Sequence, residues 1–441
     1  MQIVEQSREL EYESAGLWKA WSIVLLCMLA YILSFIDRQI LALLVGPIRA
    51  DLHISDTQFG LLNGLAFSIF YATMGIPIAG LSDRSSRPRI IVCGIAVWSA
   101  ATIACGMARS FGHLFLSRIL VGAGEAALSP AAYSLIADLF PRDRMGRALA
   151  VYSLGTLLGT GLAFLVGGVV IAAISSAARY SLAGLSFSPW QVTMLIVGAP
   201  GIILAIVIGT VVKDPRRTRA LDPSVPTIAS VFRELTSQPG IYVPLLLGFS
   251  LAAMALYGLL SWIPAHLMRR FDMGPRQVGL LLGPIAIIAG GGGNLVSGWL
   301  VDGFAGKGRH DAPFLVGMIG AAGVALPSLA IGLAPSLGIA IPLVAAALFF
   351  AAFPMAPSTV VMQVAAPASI RSRVSAIFLF CNSFIGLALS SALIGFTNDR
   401  FFGGNDIGLA MGIVVSIAAV LAIFVLHMGR RPFGARHPFR A

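Results

Sequence analysis

The sequence predicts an all-α membrane protein with twelve transmembrane helices in two pseudo-symmetric six-helix bundles. Three observations predict it. Of 441 residues, 57% are hydrophobic and 11% charged, with a mean hydropathy of +0.89, whereas a soluble chain is about one quarter charged. The apolar residues are gathered into runs long enough to cross a hydrocarbon layer as helices, and too long and too little alternating to be barrel strands. The Lys and Arg crowd into alternate connectors, the pattern that orients a membrane protein. Soluble enzymes, disordered chains and collagen-like chains are excluded together.

The elements follow in order. Residues 1–17 hold Glu5, Glu9, Glu11 and Glu13 against Arg8, which is not the charge pattern of a cleavable signal peptide, so they are expected to form a cytoplasmic tail. Apolar runs at 18–47, 56–81, 89–108, 112–140, 147–175 and 190–212 make the first bundle, 18–212. Residues 213–240 form the longest connector. It opens with Lys213, Asp214, Pro215, Arg216 and Arg217 and closes with an amphipathic stretch, Ile228 to Leu235, expected to be a short helix lying along the membrane surface. Runs at 241–268, 276–302, 313–334, 337–362, 374–398 and 407–428 make the second bundle, 241–428, and a basic tail covers 429–441. The 48 Gly and 24 Pro read as packing and kinking residues of membrane helices. The cluster Gly155 to Gly161, with Gly167, Gly168 and Gly290 to Gly293, has neither the preceding strand nor the following Lys of a nucleotide loop. It predicts close packing or bending in helices 5 and 8.

The net charge of +11 invites a nucleic-acid reading, but its placement in short connectors excludes one. Of the 30 Lys and Arg, Arg49, Arg109, Arg179, Arg269, Arg270, Arg276 and Arg400 fall on one face, Arg38 and Arg118 fall inside spans, and the rest lie on the face of both termini. Positive charge stays inside, so both termini are expected in the cytoplasm and the number of spans is even. The chain also repeats. Gly80, Leu81, Ser82, Asp83 and Arg84 after helix 2 match Gly298 to Asp302 after helix 8, and Pro141 with Arg144 and Arg147 matches Pro367 with Arg371 and Arg373 at a similar offset. A duplicated six-helix unit puts a binding site near the midplane between halves. Cys27, Cys93, Cys105 and Cys381 lie in apolar runs without metal or disulfide spacing, and the six His form no ligand set, so neither metal nor cofactor is expected. His266 reads as an interfacial side chain.

Four charged residues lie well inside spans: Asp37 and Arg38 in helix 1, Arg118 and Glu125 in helix 4. An ionisable group at that depth costs several kcal/mol unless it faces a cavity or a partner, and so marks function. Counting from the helix ends puts Asp37, Arg38 and Arg118 near one level, with Glu125 two turns, about 10 Å, deeper on the face of Arg118. Two readings stay open: a cluster in which one carboxylate titrates during transport, or an ion pair locking helix 1 to helix 4. Helices 7 to 12 offer only uncharged polar groups, among them Tyr257, Ser261, Asn294, Asn382 and Ser383. An amphiphile fits such a cavity, its head on the charged half and its tail on the apolar one.

The stretch Gly80-Leu-Ser-Asp83-Arg84-Ser-Ser-Arg87 resembles the loop 2/3 signature of the major facilitator superfamily, and the six-plus-six layout covers the whole chain. Ile36-Asp37-Arg38, Ser55-Asp56-Thr57-Gln58-Phe59-Gly60, Phe70-Tyr71 with Gly75-Ile76-Pro77, and Gly122-Ala123-Gly124-Glu125-Ala126 resemble the spinster-like branch in a bacterial version. The resemblance implies a secondary transporter working by alternating access, similar to carriers of sphingolipids and lysophospholipids and proton-coupled, in the cell inner membrane. It implies Asp37, Arg38, Arg118 and Glu125 as the substrate and proton site, and Gly80, Asp83, Arg84, Arg87 and Arg147 as gating residues. Asp83 would meet the start of helix 11 and Arg147 when the cytoplasmic side is shut. The chain departs from the pattern at Ser86, where the signature has Gly, and at Thr160, where Pro is common. The expected partners are an amphiphilic small molecule, protons and membrane lipid, with the chain a monomer. A carrier of drugs or small organic anions is the alternative, since Arg38 and Arg118 would bind an acid. A polytopic membrane enzyme is a remote one, without a metal motif or nucleophile elbow to support it.

Overall fold

A chain this apolar must satisfy its backbone within itself, which in lipid means helices. The computed structural model describes residues 2–175, 179–182, 184–214, 228–367 and 370–436. Among these, eleven helices are long and apolar enough to cross a membrane. Span 1 is Leu17–Leu43, spans 3 to 6 are Arg87–Gly106, Phe111–Leu139, Arg144–Ile174 and Pro189–Val211, and spans 7 to 12 are Pro239–Phe271, Pro275–Gly306, Ala312–Leu333, Leu337–Ala365, Arg373–Phe401 and Ile407–Arg436. Span 2 completes the twelve as three consecutive pieces, Asp56–Gly60, a π-helical Leu61–Ala66, and Phe67–Arg84. The twelve-helix architecture is the one the sequence predicts. Large apolar side chains such as Leu326, Ile288, Trp299 and Phe424 are exposed around its perimeter, as a surface in contact with lipid tails requires.

Local chemistry sets the ends of the spans. Ser55 accepts the Gln58 amide and Gln58 Oε1 accepts the Ser55 amide, a reciprocal cap that starts span 2. Ser110 caps span 4 through the His113 amide, and Pro opens spans 6, 7 and 8, where a missing N–H is harmless. Between spans 5 and 6, Tyr180–Leu182 pairs antiparallel with Leu185–Phe187. The amphipathic stretch of the connector is a helix, Ile228–Ser237, with Val231 buried and Phe232 exposed. Glu234 ties it to span 7 by accepting from Tyr242 Oη and Gln238 Nε2. Pro215, Arg216 and Arg217 lie outside the described residues.

The two halves meet along two seams. Spans 5 and 8 cross where glycines face each other: a Cβ on Gly161 would overlap Ile287, one on Gly279 the Phe164 carbonyl, and one on Gly283 Leu165. Spans 2 and 11 do the same, since a Cβ on Gly60 would overlap the Ser391 carbonyl and one on Gly395 the Asp56 carbonyl. Three of the four described π-helical segments, in spans 2, 8 and 11, lie on these seams, and such segments mark places where a helix can bend.

Candidate functional site

Span 4 approaches its neighbours through Gly122 and Gly124. A Cβ on Gly122 would overlap the Phe67 carbonyl of span 2, and one on Gly124 would press on Gly94 and Trp98 of span 3. The helix then breaks at Ala126 and Ala127 before resuming at Leu128. Glu125, at this break, is aimed at span 1. Its Oε2 receives Arg38 Nη2 at 2.5 Å and the Ser34 hydroxyl at 2.7 Å. Ser34 and Arg38 are one turn apart, so Glu125 sits between them, deeper in the membrane than Asp37. Span 10 breaks likewise, between Leu337–Ala351 and Met355–Ala365.

Arg38 is clasped by aromatic rings, its guanidinium carbon 4.3 Å from the ring centre of Phe67, 4.7 Å from Phe35 and 4.9 Å from Tyr71. These faces favour a cation where water is scarce. Asp37, on another side of span 1, accepts Thr102 Oγ1 of span 3 at 3.1 Å, and its carbonyl receives Arg118 Nη1 at 3.4 Å. Arg118 thus touches the backbone of Asp37 and no carboxylate. Its Nε and Nη2 have no partner, nor has Glu125 Oε1, although both residues are about nine-tenths buried or more. Unmade hydrogen bonds on buried charged groups are costly, and these two Arg118 nitrogens and the Glu125 oxygen are among the unsatisfied polar atoms of the interior.

All four intramembrane charges therefore belong to one cluster. Ser34, Thr102, Phe67 and Tyr71 complete it. Arg87 is placed inside the first half: fully buried, it donates to the Ser134 carbonyl and, at 2.6 Å and 3.2 Å, to Asp138 and Asp214, fastening span 3 to the ends of spans 4 and 6. Arg147 is exposed near the start of span 5. Gly80, Asp83 and Arg84 fall in the last turns of span 2, outside the residues whose side chains are described. His266, read from sequence as interfacial, is instead buried, edge-on to Phe271, because spans 9 and 12 close over it.

A second polar cluster lies on the face opposite the termini. Asp56, wholly buried at the start of span 2, accepts both Nη atoms of Arg269 from span 7 at 2.7 and 2.8 Å, Asn398 Nδ2 from span 11 at 2.7 Å and Arg49 at 3.0 Å. It joins the halves and shuts this face. Sequence reasoning missed it because each member reads as an ordinary charged or polar residue at a helix end. Deeper in, Asn63 donates to Ser261 and Ser68 to the Ser383 carbonyl.

Comparison with known proteins agrees with this architecture. An efflux pump of the major facilitator type from Mycolicibacterium smegmatis is 27% identical over 403 residues, 90% of each chain. Human protein spinster homolog 1 is 30% identical over 265 residues, which is 58% of this chain and 47% of that protein, so the match spans about half of the spinster protein's length. Among solved structures, a bacterial homolog of the human lysosomal transporter spinster, inward-facing and unoccupied, superposes with a TM-score of 0.84 at 27% identity over 96% of this chain and 99% of that one. The inward-open xylose transporter of E. coli shares the fold at a TM-score of 0.65. The family model for the Major Facilitator Superfamily matches residues 27–391, and this chain, a membrane transporter and no enzyme, belongs to that superfamily with a likeness to its spinster-like members.

Proposed function

We propose that the protein is a proton-coupled secondary transporter of a single-chain amphiphile, acting by alternating access with both termini in the cytoplasm of a cell whose inner membrane it spans. The observation that carries this is the Arg38–Glu125 pair beside Arg118, whose two nitrogens without a hydrogen-bond partner are the donors an anionic group would need. With both arginines and both carboxylates charged, the cluster is neutral. An anionic head group on Arg118 makes it negative, and a proton on Glu125 or Asp37 restores neutrality, so by linkage the head group and the proton each tighten the binding of the other. Protonation of Glu125 also dissolves its ion pair with Arg38 and so loosens span 1 from span 4 within the first half.

The second half holds no charge in the middle of a span, and its polar Tyr257 and Asn382, which bond each other, are uncharged and stand among apolar residues, which suits a hydrocarbon tail. The shut face at Asp56 and Arg269 fits a state open to the cytoplasm. In the opposite state Asp83, with Arg147, is proposed to close the cytoplasmic side. Competition binding to purified protein tests the substrate class. A lysophospholipid is expected to displace bound ligand at lower concentration than a water-soluble phosphoester with the same head group. Equal potency would favour a small-anion carrier instead.

A further inference from the structure

The N-terminus of span 2 is capped twice, once by its own chain and once by the other half. Ser55 and Gln58 settle the third amide of the helix and leave the first two needing another acceptor. That acceptor is Asp399 of span 11. Its Oδ2 receives the Thr57 amide at 2.7 Å and the Thr57 hydroxyl at 2.6 Å, and its Oδ1 receives the Asp56 amide at 3.3 Å. Neighbouring Asn398 donates Nδ2 to Asp56 and accepts the Asp406 amide on Oδ1, while Asp406 Oδ1 accepts the Leu409 amide at the start of span 12. Helix caps thus run without a gap from span 2 through span 11 to span 12.

We infer that Asp399 is a positioning residue of the transport cycle: a carboxylate of the second half that caps the N-terminus of span 2 while this face is shut, and so sets how often the face opens. The inference rests on the alternating-access reading. When spans 2 and 11 part, the Asp56 and Thr57 amides pass to water and Asp399 loses three donors. A carboxylate at a helix start is held by the amides and by the helix dipole. Because Asp399 and span 2 belong to different halves, this interaction is present in one state and absent in the other. Such a difference between states is what moves a population. Asp399 does this separately from the Asp56–Arg269 ion pair, since it touches backbone amides and a hydroxyl and no arginine of that pair.

The test uses full-length protein in nanodiscs with spin labels at Met107→Cys and Ser336→Cys, on the connectors of the two halves at this face, the native cysteines being replaced. Asp399→Ala is expected to raise the ratio of open to shut distances roughly three- to tenfold, the size of a lost cap. Asp399→Asn keeps an acceptor oxygen and should raise it less. Thr57→Val should raise it modestly and add little on top of Asp399→Ala. A ratio unchanged in Asp399→Ala, with only a lower melting temperature, overturns the inference and leaves alternating access standing. Should Asp399→Ala not fold, an unchanged ratio in Thr57→Val overturns it equally. A single distance in the unsubstituted protein at every pH and ligand concentration overturns alternating access and the inference together.

Discussion

Glu125 owes its place to glycine. Gly122 and Gly124 let span 4 touch the backbones of spans 2 and 3, and the break after Glu125 turns the carboxylate to span 1. The four intramembrane charges were legible in the sequence because a charge in an apolar run stands out. Their partners were not, since Ser34, Thr102 and Phe67 are the kinds of residue that fill any membrane helix and only the packing of spans 1, 2 and 3 selects them. The pairing yields two predictions. Arg38→Leu removes the cation bonded to Glu125 and should cost about 3–5 kcal/mol as a broken buried pair, read as a lower melting temperature in detergent. Glu125→Gln keeps the volume and an oxygen for Ser34 and Arg38, and should melt close to the unsubstituted protein. The reverse order of the two would contradict the pairing.

At the scale of the helix, seams decide what can move. The sequence predicted tight packing for helices 5 and 8 from their glycines, and the two do pack on each other in the part away from the termini. The equivalent seam between spans 2 and 11 was hidden, because Gly60, Gly64 and Gly395 are single glycines and reveal their purpose only when the opposing carbonyl is in place. The π-helical segments carry no distinctive residue pattern beyond Pro244 and Pro284 near two of them. Since a Cβ on Gly60 meets backbone and no flexible side chain, Gly60→Ala should keep this face from closing. Alkylation of an Asn63→Cys variant by an impermeant reagent from that side should then rise several-fold, because position 63, buried at this seam, becomes reachable. Gly46→Ala, with nothing within 4 Å of the added carbon, serves as control. Equal labelling of the two would show that the seam does not depend on Gly60.

At the scale of the whole molecule, the two halves repeat each other with charges exchanged. In the first, Arg87 at the start of span 3 binds Asp214 just past span 6; in the second, Asp311 at the start of span 9 binds Arg430 of span 12 at 2.7 Å. Burial pushes the Asp311 carboxyl up, and hydrogen bonds from Arg309 and Arg430 outweigh that and hold it below the usual carboxylate range. A depressed folded-state value stabilises the fold at neutral pH, and the contribution is lost as pH falls through and below the ordinary carboxylate range. Asp311→Asn should therefore lower the melting temperature at pH 7 and narrow its gap from the unsubstituted protein in strong acid; a gap independent of pH would contradict the clamp. The twelve-helix layout and the repeat were legible from run lengths and connector charges, while the exchange of sign was not, because it needs the pairing of spans 3 with 6 and 9 with 12. The charge bias of the connectors also predicts that Thr236→Cys, on the surface helix, labels only from the cytoplasm. The central claim, that the Glu125 cluster couples protons to an amphiphile, is tested most directly by uptake into proteoliposomes under an imposed pH gradient. The prediction is lysophospholipid transport that follows the gradient in the unsubstituted protein and loses that dependence in folded Glu125→Gln, whereas transport following the gradient equally in both would contradict it.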